Sequence, residues 1–473
     1  MTERPLWTVD DMVAAMNAAR AGPLPGFVSG ISIDTRTVAA GEAFFAIKGD
    51  NRDGHDFVEG AHKAGAGLAV VAADKRARFA AGAPLLIVPD VLEALRALAR
   101  AARLRSEAAI IAVTGSVGKT TVKEMLRAML SACGRTHASA HSYNNHWGVP
   151  LTLARMPADT RYGVFEIGMN HAGEIAPLTR MARPHAALVT TIAPVHIEYL
   201  GSIEAIADAK AEIFLGLEPG GAALINRDAP QWERLAKAAG AVGARILTFG
   251  RAAACDAELL AVDPIETGSR VSARILARKL AFVLGAPGAH MAQNALGALL
   301  AAEALGADLD ACAAALARFA PQQGRGARFS IETPDGPATI IDESYNANPA
   351  SMRAALALLA AAKPGPKGRR IAVIGDMLEL GPKAAAMHAE LAPDLSASRV
   401  DLLFGAGPLT RALYDAAPAS MRGAWAERSN DLTDKVARAL RGGDIAMVKG
   451  SNGSRMGPLV AALRDRFERG AGG

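Results

Sequence analysis

The chain has 473 residues, 51% of them hydrophobic and 21% charged, which supplies enough apolar material for sizeable cores and excludes global disorder. Its net charge of +5 is dispersed, with Lys and Arg interleaved among acids; this excludes a nucleic-acid platform and suits anionic small molecules. Cys133, Cys255 and Cys312 form no zinc-type cluster, and no apolar run approaches the ~20 residues of a membrane span, so structural thiols in a cytoplasmic protein are expected.

Three regions separate by pattern, with boundaries expected at 1–107, 108–324 and 325–473. The first holds short strand-like runs at 41–47, 68–71 and 85–88. A helix is expected over 94–105, with Arg96, Arg100 and Arg103 near one face. The second opens with an apolar run at 109–113, then a glycine turn and a helix over 120–133. Strand-like runs recur at 163–167, 186–191 and 222–225 with helical patterns between, which argues for a mostly parallel sheet covered by helices. Residues 251–280 read as an inserted β-rich stretch, 294–305 and 310–319 as helices, and 321–326 as a linker. The third region repeats the alternation, with strands at 339–342, 371–374, 402–404 and 445–448. The expected fold class is α/β, in three domains.

The strongest local signal is the turn Thr114-Gly115-Ser116-Val117-Gly118-Lys119-Thr120-Thr121 between a strand and a helix. Glycines let the backbone wrap closely and aim N–H groups inward, and the helix start adds partial positive charge. Lys119 can reach outer phosphates and Thr120 can offer its hydroxyl to Mg²⁺. The turn is shorter than the common pattern, with only Ser116 and Val117 between Gly115 and Gly118. It indicates nucleotide phosphate and names no reaction. Glu166 closes a strand, where open α/β sheets place their ligands, and offers a hard oxygen of the kind Mg²⁺ prefers. His196, after another strand, and Lys210, in a helical pattern, are unremarkable when taken singly.

Taken together and in this order, the loop 114–121, Glu166, His196 and Lys210 resemble the central domain of the Mur ligases, and the resemblance covers nearly the whole chain. It implies a central ATP-binding parallel-sheet domain and a C-terminal Rossmann-like domain. It further implies ATP and Mg²⁺ as cofactors, with Thr120, Glu166, His196 and Lys210 at the metal. Lys119, Lys210 and His196 are then catalytic, and Lys210 is carbamylated by CO₂. The string Ser32-Ile33-Asp34-Thr35-Arg36, with 41–49 and 54–57, is similar to the family's UDP-binding N-terminal domain, which implies Ser32, Thr35, Arg36 and Lys48 as precursor contacts. Residues 142–150 resemble the loop facing the UDP-sugar peptide and imply Asn144 and Asn145.

Residues 342–352 and 375–381 are similar to the branch that adds D-alanyl-D-alanine, whereas the Asp-Asn-Pro-Arg string of the diaminopimelate-adding branch is absent. By this resemblance Asn294, Arg325, Asp342 and Tyr345 contact the nucleotide, and Asn346 and Asn348 the substrates. Arg328 and Glu343 are alternatives to Arg325 and Asp342, and the loop 449–455 is expected near the incoming dipeptide. The sequence departs from the family at His290-Met291, where His-Asn is common, and at Thr190-Thr191, where Thr-Asn is. The implied activity is ATP-dependent ligation of D-alanyl-D-alanine to UDP-N-acetylmuramoyl-tripeptide through an acyl phosphate, by a monomer with no nucleic-acid or membrane partner. Two alternatives are a related ligase with another acceptor, such as a diaminopimelate-adding Mur ligase or a folylpolyglutamate synthase, and a nucleotide-binding switch. The 342–352 string weighs against the first, and the lack of an Asn-Lys-x-Asp string against the second.

Overall fold

The computed structural model describes residues 5–140, 142–195 and 197–470. The first unit is a sheet of β1 (Ala19–Ala21), β2 (Ile31–Ser32), β3 (Ala43–Phe45), β4 (Leu68–Ala72) and β5 (Leu85–Val88), ordered β1-β5-β4-β3-β2 with only β1 antiparallel. Strand β4 is apolar throughout because both faces are covered. Leu68 and Val70 join a cluster with Leu95 and Leu98 of helix α1 (Val91–Leu104), and Ala69 and Val71 join one with Phe44 and Val58. Helix α1 begins three residues before the expected start because the Asp90 side chain accepts the Glu93 N–H and caps it. Its arginines do not act together. Arg103 is buried and donates to Ala182 O at 2.9 Å and Arg183 O at 3.0 Å, pinning this unit to the next, while Arg96 is half-buried and pairs with Glu93 and Arg100 is exposed.

The second unit contains β6 (Ala109–Thr114), β7 (Thr136–Ala138), β8 (Tyr162–Glu166), β9 (Ala186–Val189), β10 (Ala222–Asn226) and β11 (Arg245–Gly250), all parallel. An antiparallel extension follows: β12 (Ala257–Ile265), β13 (Gly268–Ile275) and β14 (Arg278–Leu284). This is the β-rich stretch that the sequence announced. The order is β14-β13-β12-β11-β10-β9-β6-β8-β7. From β6 the chain runs out to the β7 edge, returns to β8 and then crosses to β9 on the other side. Such a reversal leaves a crevice at the carboxyl ends of the strands. The register levels those ends, with Glu166 opposite Val113 and Val189 opposite Thr114. Helix α2 (Lys119–Ser131) packs its Val122, Met125, Leu126 and Met129 into the core with helix α5, described below.

Helices α3 (Ile175–Ala182) and α4 (Ile203–Ala211) lie on the opposite face from α2, in a cluster with Phe165, Ile167 and Val189. Helix α5 (Ala289–Ala304) starts five residues before the expected 294, so His290, Gln293 and Asn294 share its first turns. The third unit is a sheet of β15 (Ala327–Thr333), β16 (Gly336–Glu343), β17 (Arg370–Gly375), β18 (Leu402–Ala406), β19 (Arg422–Ala426) and β20 (Ile445–Lys449), ordered β15-β16-β20-β17-β18-β19. Only the β15–β16 pair is antiparallel. Helix α6 (Pro349–Ala361) follows β16. The expected α/β class in three units is the observed one. No helix among the described residues is long and apolar enough to cross a membrane.

Candidate active site

The turn after β6 has room for no side chain at its glycines. Gly115 sits at φ +145°, and a Cβ there would meet Thr190 Oγ1 at 1.9 Å. Gly118 sits at φ +91°, with Asn294 Oδ1 2.8 Å from where its Cβ would be. The turn is stitched to the segment leaving β9: Ser116 N donates to Thr191 O at 2.8 Å, and Thr190 Oγ1 donates to Val117 O at 2.5 Å. Ser116 Oγ donates to Ala193 O at 3.0 Å. Thr190-Thr191 thus braces the loop directly. Thr114 Oγ1, at the root of the loop, is buried and has no hydrogen-bond partner among the described residues.

Lys119 Nζ folds back to donate to Gly115 O at 2.7 Å. Burial lowers its pKa, the Glu166 charge counters that shift, and Arg325 adds to it. Glu166, almost fully buried, accepts from Thr120 Oγ1 and from Asn144 Nδ2, each at 2.8 Å. Ser142 Oγ lies 3.2 Å from Thr120 Oγ1. Thr120, Ser142 and Glu166 therefore present hard oxygens beside the lysine, a donor set that fits Mg²⁺, which takes one or two carboxylates and keeps waters. No cluster of three His, Cys, Asp or Glu side chains occurs among the described residues. Lys210, on α4, is buried; burial first, and the Lys119 charge second, push its pKa well below the ordinary lysine value. Lys210 is not among the residues that line the cleft. His196 lies outside the described residues.

These groups line a cleft of about 410 Å³ whose far wall comes from the third unit. Arg325 stacks over the Tyr345 ring at 4.0 Å and reaches Ser142 Oγ at 3.4 Å. Lys449 Nζ donates to Glu343 Oε2 at 3.3 Å and to Asn346 O at 2.9 Å. Asn294, Thr121, Asn346 and His290 also line the cleft. Burial lowers the His290 pKa, with Glu343 opposing and Lys449 reinforcing the shift. Of the alternatives, Arg325 is in the cleft and Arg328 is not among its lining residues.

Several expected contacts are otherwise engaged. Asp342 is a buried organiser: its carboxylate accepts from Gly324 N at 2.8 Å and Ser344 Oγ at 2.6 Å, and Glu343 is the acid that faces the cleft. Adjacent strand residues point to opposite faces, so only one of the two can do so. The Asn348 side chain caps α6 by accepting from Ser351 N at 2.9 Å in a capping box, and the residue also lines the cleft. Asn145 Oδ1 accepts from Gly148 N at 2.9 Å. Ser32 closes a turn with Asp34, and Arg36 forks onto the Asp34 carboxylate at 2.6 Å, holding that pKa down at about 2. Ser32, Thr35, Arg36 and Lys48 lie on the first unit and do not line this cleft. Gln293, not among the expected residues, also lines the cleft and donates to Asp228 Oδ2 at 2.7 Å and Asn226 Oδ1 at 3.2 Å. Its neighbour Asn294 was the available signal.

A second, larger lobe of about 960 Å³ opens from the cleft past Asn144, Gly168, Met169 and Asn170, which line both. It runs between α1 of the first unit and α3 of the second.

Comparison with known proteins follows this geometry along the chain. The family descriptions "Mur ligase family, catalytic domain", "Mur ligase middle domain" and "Mur ligase, glutamate ligase domain" match residues 27–103, 113–302 and 327–452. The UDP-N-acetylmuramoyl-tripeptide–D-alanyl-D-alanine ligase of Escherichia coli is 35% identical over 92% of this chain and 93% of its own length. The solved UDP-N-acetylmuramoylalanyl-D-glutamyl-2,6-diaminopimelate–D-alanyl-D-alanyl ligase of Acinetobacter baumannii is 28% identical, with a TM-score of 0.82 over 98% of this chain and 99% of that one. The MurF ligase of Thermotoga maritima, solved with ADP, shares the fold at a TM-score of 0.75 and 23% identity, over 93% of this chain and 98% of that one. With three Mur ligase domains matched in order and relatives matching nearly end to end, the chain belongs to the Mur ligase family.

Proposed function

We propose that this chain joins D-alanyl-D-alanine to UDP-N-acetylmuramoyl-tripeptide with ATP, in peptidoglycan precursor synthesis. The observation that carries the reading is the convergence of Lys119, Thr120 and Glu166 at the level ends of β6 and β8, facing Arg325, Glu343 and Lys449 from the third unit. That is an anion-neutralising cleft with one wall on each of two units, as a transfer sheltered from water requires. We take the units as 1–107 for the UDP precursor, 108–324 for ATP and 325–473 for closure over both.

The triphosphate of ATP lies along the 114–121 turn, where backbone N–H groups and the start of α2 receive it. Lys119 exchanges its bond to Gly115 O for the γ-phosphate. An oxygen of the tripeptide's terminal carboxylate attacks the γ-phosphorus; the new O–P bond forms as the bond to ADP breaks, giving an acyl phosphate. Lys119 and Arg325 offset the charge that accumulates. The free amine of D-alanyl-D-alanine then attacks the acyl carbon, loses its proton as the amide forms, and phosphate departs. Arg325, stacked on Tyr345, ties the third unit over this centre and excludes water from the acyl phosphate.

Thr120, Ser142 and Glu166 are the residues suited to Mg²⁺, which when bound neutralises the phosphate oxygens. Lys210 suits the carbamate role. Burial and the Lys119 charge both favour its neutral amine, whose nitrogen can bond the carbon of CO₂ and release a proton, leaving an anionic oxygen ligand. The test is product formation: ADP release must require both the UDP-tripeptide and D-alanyl-D-alanine, and mass spectrometry must find the pentapeptide. ADP release indifferent to both would favour a nucleotide switch, and coupling to a different amine would favour another ligase.

A further inference from the structure

The lobe beside the cleft carries a charge pattern that the chemistry above does not use. Arg96 and Arg100 of α1 enter it from the first unit, and Arg180 of α3 from the second. Its acids are Glu93 and Glu174. Glu93 is paired with Arg96. Glu174 accepts from Asn170 N at 2.8 Å and pairs with His171 Nδ1 at 3.1 Å. Arg100 and Arg180 are left with no side-chain hydrogen bond or ion pair among the described residues, and both line one cavity, each from a different unit. Arg103, one turn further along α1, shows the contrast, since its guanidinium is spent on carbonyls between units. The last-turn position of Arg180 accounts for a cation on α3, but not for a second unpaired cation brought to the same cavity by another unit.

We propose that Arg100 and Arg180 bind a carboxylate of the acceptor peptide other than the one that reacts. This rests on the function proposed above. Asn144 forms the shared wall of both cavities and donates to Glu166, so a peptide with its reacting carboxylate at Lys119 continues past Asn144 into the lobe. Guanidinium forks match carboxylates in a bidentate manner, and two of them fix one orientation of the chain. Two spectator carboxylates are available in a peptide such as the alanyl-D-glutamyl-diaminopimelate named for the Acinetobacter baumannii neighbour. One is on the second residue; the other ends the side chain of the third.

The test is steady-state kinetics of the whole protein and of R100Q, R180Q and the double variant, with acceptors whose third residue is diaminopimelate or lysine. Each single variant is expected to raise the KM for the diaminopimelate acceptor about 10-fold or more, the scale of a lost charge-assisted hydrogen bond. The KM for ATP, the kcat at saturating acceptor and the melting temperature should hold. A rise confined to the diaminopimelate acceptor assigns the lobe to the third side chain, and an equal rise for both assigns it to the second residue; either supports the proposal. An unchanged acceptor KM in the double variant overturns it. If the unmodified protein joins neither acceptor to D-alanyl-D-alanine, the function itself falls, a distinct failure.

Discussion

Replacing Glu166 by Gln probes the centre of the site with a nearly isosteric change. The carboxylate is 2% exposed and accepts two hydrogen bonds of 2.8 Å, from Thr120 Oγ1 and Asn144 Nδ2. A hydrogen bond to a charged group is worth about 1.5–3 kcal/mol and a neutral one about 0.5–1.5, so neutralising both forfeits roughly 2–3 kcal/mol. Lys119 also loses the charge that counters its burial, and its ammonium becomes harder to keep beside the γ-phosphate. A total of about 2–4 kcal/mol in the transition state corresponds to a fall in kcat of roughly 30- to 900-fold. The assay is ADP release at saturating ATP, Mg²⁺ and both substrates, with a thermal melt to establish that the variant folds. A folded variant that keeps kcat within about threefold, less than 1 kcal/mol, would refute the assignment of Glu166 to the charge balance of the site.

Gly115→Ala forces a Cβ to within 1.9 Å of Thr190 Oγ1 at φ +145°, a strain of about 1–3 kcal/mol before the clash is counted; nucleotide affinity, followed by titration of a fluorescent ATP analogue, should fall at least about 10-fold. Lys210→Met should abolish ligation and alter the pH dependence of stability in CO₂-free buffer. Because the folded pKa lies well below 10.5, the unfolded chain holds the proton over the interval between them. Wild-type stability should therefore rise with pH across that window, and urea unfolding should show a flatter profile in the variant. Asn348→Ala removes the cap of α6 and should cost about 1 kcal/mol in a denaturation curve.

The loop, the strands that flank it and the order of the three units were legible because each rests on local signals: apolar runs of strand length, glycines before a lysine, and helical periodicity after it. What resisted reading depends on pairing across the chain. Asp342 and Glu343 are adjacent, and which one enters the cleft is set by pairing of Glu343 with Lys449 on β20, more than a hundred residues away. The short edge strand β7 and the Gly- and Ala-containing β19 carry weak alternation and escape a reading of the sequence. Helix α5 began before its apolar pattern because its first turn faces the cleft with His290 and Gln293, a functional surface that breaks the periodicity. The α1 arginines share a helical stripe but not a fate, since only Arg103 meets backbone carbonyls of the neighbouring unit while Arg96 and Arg100 line the open lobe.

Transfer of heavy oxygen tests the central claim most directly. With the terminal carboxylate of the UDP-tripeptide labelled in both oxygens, one turnover through an acyl phosphate must carry one label into the released phosphate and leave the other in the new amide carbonyl. The arrangement of Lys119, Glu166 and Arg325 around the cleft predicts singly labelled phosphate in step with product. Unlabelled phosphate released alongside authentic product would contradict it.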